Sequence, residues 1–129
     1  MSILSSPELV RKSVVQYFAA TRSNNARQWA SRFSPNTYVE DPVGTKPLND
    51  SEAILEFGKK FLASFETVGL YEEFVHVVGN EAAARWTGKG TTKDAKQVRF
   101  EGITVFKFDR EGKIINLKGY WNPDEMIEV

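Results

Sequence analysis

Between Gln97 and Phe108 the side chains alternate with a period of two over the whole stretch, a pattern a strand satisfies and a helix does not. Val98, Phe100, Gly102, Thr104, Phe106 and Phe108 fall on one face, and Arg99, Glu101, Ile103, Val105 and Lys107 on the other. Such a strand needs a neighbour. Asp109-Arg110-Glu111-Gly112 reads as a hairpin turn into a returning strand from Ile114 to Trp121. One face belongs to the core, yet the other still carries Ile103 and Val105 among its charges. A sheet apolar on both sides with no helix left to cover the second one is expected to bury it against another copy, as a homodimer.

The same period recurs upstream, where Phe74, His76 and Val78 alternate with Val75 and Val77 from Leu70 to a Gly79-Asn80 turn, and Ala82 to Thr87 returns. Gly88 to Lys96 is polar and glycine-rich and reads as a long connection or a ragged pair of strand ends. Ahead of Leu70 the period changes to 3.6. Ser5 or Ser6 caps a helix with Pro7 in its first turn, and Leu9 or Val10, Val14, Tyr17, Phe18 and Thr21 form its buried stripe, so Tyr17 points inward. Ala26 to Phe33 reads as a short second helix burying Trp29 and Phe33 before Pro35 ends it, and Thr37 to Asp41 as a strand. Asn49 caps a third helix carrying Ile54, Phe57, Phe61 and Phe65. Helices followed by antiparallel strands make an α+β domain: three N-terminal helices packed on a curved, mostly antiparallel sheet that closes round them as a cone. At 129 residues there is material for one core, and no linker or repeat divides it.

Charge balance narrows the partners. Lys and Arg number 17 against 17 Asp and Glu, so no basic excess points to nucleic acid or an acidic membrane surface. Cysteine is absent and His76 is the single histidine, which excludes thiolate chemistry and a histidine-rich metal site; no cofactor is implied. The opening residues lack a basic region followed by an apolar run, and the expectation is a soluble, cytoplasmic protein.

The chemistry concentrates in Tyr38-Val39-Glu40-Asp41-Pro42-Val43-Gly44, where two acids close a short strand and Pro42 and Gly44 turn the chain. Together with Tyr17 and Gly119-Tyr120-Trp121, this segment resembles the ketosteroid isomerases of the NTF2-like (SnoaL-like) superfamily, whose hallmark is V-E-D-P-x-G. Asp41 follows Tyr17 by 24 positions (41 − 17), the spacing that family keeps between its base and its tyrosine donor. Val77 to Ala83 and Phe108 to Lys113 resemble the family as well. The resemblance implies double-bond isomerisation on a small hydrophobic enone or steroid-like molecule. Asp41 would move the proton, and Tyr17 would donate to the oxyanion.

Phe33, Phe57, Trp86, Phe100, Phe106 and Trp121 would wall the pocket. The family's second donor, a protonated aspartic acid, falls here on Thr104, a weaker donor, and Gly58 replaces a tyrosine that buttresses the donor tyrosine in some members. A rival reading is a non-catalytic binding or dimerisation module of the same fold. A His76–Asp41 pair, as in some dehydratases and cyclases of the superfamily, is a further alternative. By strand alternation Glu40 turns away from Asp41, Glu101 pairs with Arg99 on the surface, and Lys93 to Lys96 is a solvated loop.

Overall fold

The computed structural model describes residues 6–129, so the alternative cap Ser5 and the opening residues lie outside it. Helix α1 (Pro7–Thr21) starts at Ser6, whose hydroxyl accepts from the Leu9 N–H at 3.1 Å. Helix α2 is shorter than its aromatic spacing suggested, Ala26–Ala30, capped by Asn25. Phe33 opens strand β1 (Phe33–Glu40) instead of closing the helix. Pairing decides this: the Ile114 N–H donates to the Arg32 carbonyl at 2.9 Å, and Phe33 sits opposite Ile114. Pro35, which donates no backbone hydrogen bond, falls where the register of β1 slips, a place a sheet tolerates proline.

Helix α3 (Ser51–Ala63) is capped by Asp50, not Asn49, through a 2.8 Å bond from the Ala53 N–H. Phe65 again leaves the helical stripe and opens β2 (Phe65–Val78), five residues ahead of the expected start. Strand β3 (Glu81–Thr92) takes in most of Gly88–Lys96, so of the two readings of that stretch the strand end holds and the long connection does not. Its glycines are strand residues that carry aromatic rings: a Cβ at Gly88 would overlap the Phe100 ring, and one at Gly90 would press on Phe65. The turn itself is confined to 93–96, closed by the Thr92 N–H donating to the Lys96 carbonyl.

Strands β4 (Gln97–Phe108) and β5 (Ile114–Tyr120) complete a sheet of order β1-β5-β4-β3-β2. The β1–β5 pair is parallel, which makes the sheet mixed. A 3-10 turn (Pro123–Glu125) leads to a two-residue strand β6 (Ile127–Glu128) on β4. No helix among the described residues is long and apolar enough to cross a membrane.

The helices cover the inner face, where Trp86, Phe100, Phe106, Phe108, Ile114 and Leu117 are buried with Val10, Val14, Tyr17 and Phe18 of α1. The end of α1 is pinned to β2. Thr21 accepts from the Leu70 N–H, Arg22 donates to the Leu70 carbonyl and to Glu72, and Asn24 accepts from the Val68 N–H. A cavity remains between the three helices and the sheet.

Candidate functional site

The cavity is bounded by α1 (Tyr17, Ala20, Thr21), α2 (Trp29), α3 (Phe57, Gly58, Phe61) and the sheet (Trp86, Phe100, Thr104), with Asp41 and Trp121 at the strand ends. Its empty space amounts to about 630 Å³, counted out to its mouth. It forms a slot between helices and sheet, lined mainly by aromatic and aliphatic side chains.

Asp41 reaches this slot because the chain turns at the end of β1. The Asp41–Pro42 peptide is cis, the Gly44 N–H donates to Glu40 at 3.0 Å, and the Val43 N–H donates to the Gly119 carbonyl at 2.8 Å. The Trp121 indole N–H donates to Asp41 Oδ1 at 2.6 Å. Gly119 has no side chain for a plain reason: a Cβ there would occupy the place of Asp41 Oδ1. Asp41 keeps some exposure because it opens onto the cavity, but its carboxyl lies among apolar walls. Burial pushes its pKa up to about 6, and the Trp121 hydrogen bond pulls the other way.

Tyr17 is buried, with Phe18, Phe33 and Phe106 packed edge-on around its ring. Burial raises its pKa far above the ordinary phenol value, the nearby Asp41 charge adds to the rise, and the Trp29 indole N–H opposes it. Tyr17 therefore stays a protonated donor at any working pH. Thr104 is 2% exposed, and its hydroxyl oxygen accepts from the Trp86 indole N–H at 2.9 Å.

Asp41, Tyr17 and Thr104 thus share one cavity with Phe57, Trp86, Phe100 and Trp121. Phe33 and Phe106 do not reach it; they stand behind Tyr17 and fix its ring. His76 is not brought to Asp41. It faces outward on β2, stacked on Phe74. Glu101 pairs with Arg85 across the strands, at 3.6 Å, and not with Arg99. Glu40 turns away from the slot, accepts from Tyr38 and the Gly44 N–H, and is held below the usual carboxylate range first by the Gly44 bond.

Among the lining residues that were not legible as part of the site, two are aromatic. Phe61 on α3 reads as plain core by its spacing, yet it meets Trp121 edge-on across the slot. Trp29 takes up the space beside Gly58, where a Cβ would lie 3.0 Å from its ring, and approaches Tyr17. The one available signal was the glycine itself. A small residue on an aromatic helix face leaves room for a neighbour.

An acid, a buried phenol and a hydroxyl thus meet on one cavity of an α+β domain. The chain belongs to the SnoaL-like domain family, whose model matches residues 14–117. It is 28% identical over 120 residues to a protein named steroid Δ-isomerase from Nocardioides simplex, covering 92% of this chain and 94% of that one. Among solved structures it is similar to an epoxide hydrolase/cyclase-like enzyme of pyran ring formation in the polyether salinomycin. That likeness has a TM-score of 0.84 at 19% identity and covers 95% of this chain and 97% of the other. A Mycobacterium tuberculosis protein solved in complex with estradiol-17β-hemisuccinate gives a TM-score of 0.79 at 17% identity, with 92% and 98% covered.

Proposed function

We propose that the protein isomerises a flat, apolar β,γ-unsaturated ketone of steroid-like shape. Asp41 takes a proton from the carbon between the carbonyl and the double bond. The C–H electron pair moves into the conjugated system, and charge collects on the carbonyl oxygen as a dienolate. Asp41 then returns the proton to the far carbon, so the double bond moves into conjugation and nothing else is consumed. Tyr17 and Thr104 donate to the oxygen while it carries charge, in a slot where hydrogen bonds count for more than in water. The steroid Δ-isomerase named above supports this reading. The observation that carries it is the placement of the Asp41 carboxyl and the buried Tyr17 phenol on one cavity, where burial pushes the pKa of both groups up.

A β,γ-unsaturated ketosteroid assayed by the absorbance of its conjugated product tests the proposal. The rate should rise with pH through about 6, as Asp41 becomes ionised. In Trp121→Phe the bond that lowers the Asp41 pKa is gone, so this limb should move to higher pH. A limb that stays in place in that variant would assign the titration to another group. Absence of turnover together with tight steroid binding would replace the isomerase by a carrier built on the same slot.

The outer sheet face carries a row from strand to strand, Phe74, Arg85, Ile103 and Tyr120, with Ile103 47% exposed. Val105 lies in the next row. The proposed functional unit is a homodimer that buries this face. Sedimentation at micromolar concentration should give a dimer, and Val105→Glu a monomer. A wild-type protein monomeric across the concentration range sinks the assignment.

A further inference from the structure

Thr104 stands where the slot needs a second donor, and a threonine hydroxyl is ordinarily a poor one because it rotates freely. Here it is not free. Trp86 is 1% exposed, its indole nitrogen is a donor only, and it sits 2.9 Å from Thr104 Oγ1. The oxygen must therefore accept, and its single hydrogen is turned away from Trp86. No hydrogen bond among the described residues has the Thr104 hydroxyl as donor, and Thr104 lines the cavity with Tyr17. The seat of the indole is built for this position. Gly102 lies opposite Trp86 in register, and a Cβ there would come within 2.7 Å of the indole ring, while Phe100 meets it edge-on at 5.7 Å.

We infer that Trp86 is a positioning residue that aims the Thr104 hydroxyl into the slot, so the pair serves as a directed neutral donor to an acceptor oxygen, a ketone or phenolate, beside Tyr17. This rests on the proposed function for its catalytic meaning but not for its geometry. A ligand oxygen that accepts from Thr104 polarises the hydroxyl and strengthens the bond it receives from Trp86, because hydrogen bonds in a chain reinforce one another. Trp86 thus gains a signature that mere packing would lack.

The experiment uses a naphthol as the probe, since its binding needs no turnover. On wild-type protein, naphthol should move the Trp86 indole proton downfield. In Thr104→Val, close to the same size but without a hydroxyl, that shift should vanish. Affinities form a cycle: Trp86→Phe and Thr104→Val should each weaken naphthol about tenfold, as for one hydrogen bond, and the double variant should lose no more than either alone. Thr104→Ser should restore both the shift and the dependence on Trp86. An equal shift in Thr104→Val, or losses that simply add, overturns the inference and leaves Trp86 as core. Coupled losses in a protein that turns over no ketosteroid would instead uphold the donor pair and refute the isomerase. Naphthol that fails to bind overturns both.

Discussion

Asp41→Asn is expected to abolish nearly all isomerisation, by roughly 10²–10⁴-fold as for loss of a general base, and at the same time to make the protein more stable at neutral pH. Both effects have one source. The apolar slot that poises the carboxyl near pH 6 does so by penalising its charge. In the folded protein the Asp41 pKa is raised from 3.8 to about 6, so between those values the native state binds more protons than the unfolded chain. Stability from this group is complete below about pH 4 and is lost as pH rises through about 6. The loss amounts to at most about 3 kcal/mol, an upper value because Asp41 opens onto the cavity. Asparagine carries no such charge and still accepts from Trp121. Denaturant titrations at pH 4 and pH 8 should therefore show the two proteins equal at the lower pH and the variant more stable at the higher. A variant no more stable at pH 8 would show that the carboxyl is solvated, and full activity in it would assign the proton transfer elsewhere.

Thr104→Asp is expected to raise isomerisation by an order of magnitude or more. A carboxylic acid is a stronger donor than a threonine hydroxyl, and one oxyanion donor is typically worth about 10²–10³ in rate. The gain requires that the new acid stay protonated, and Asp41 offers the comparison. Asp41 receives one indole hydrogen bond, is more exposed than residue 104, and still has a pKa near 6. An acid at 104 would also receive one indole hydrogen bond, from Trp86, in a place 2% exposed and on the same cavity as the Asp41 charge. Its pKa should stand above that of Asp41. The pH–rate profile should then become a bell, rising as Asp41 ionises and falling as the new acid does. Affinity for a planar phenol should tighten in parallel. A folded Thr104→Asp protein with no gain in either rate or affinity would mean that Asp41 and Tyr17 do not flank an enone.

Much of this was legible in the chain because it depends on neighbours in sequence. The alternation of Gln97 to Phe108 declares a strand with an inner and an outer face, and the stripe through Val14, Tyr17 and Phe18 turns the phenol inward. Caps were readable to within one residue: Ser6 was named, but Asp50 took the place expected of Asn49, because either side chain can accept from a first-turn N–H. Phe33 and Phe65 continue a helical spacing past the true end of a helix. Periodicity cannot tell such a residue from a strand residue until a partner strand claims it, as Ile114 and Thr92 do here.

Contacts between distant segments had no local signal, and they decide the site. Glu101 could have met Arg99 on its own strand, but the register of β3 against β4 set Arg85 within reach first. The bond from Trp121 to Asp41 spans 80 positions and that from Trp86 to Thr104 spans 18. The sequence by itself determined the secondary-structure periods, the inward tyrosine and the acid at a strand end, because these follow from spacing and backbone chemistry over a few residues. Only the tertiary structure decided which indole meets which oxygen, because that depends on strand register, and a slip of one residue between β3 and β4 would put Trp86 and Thr104 on opposite faces of the sheet.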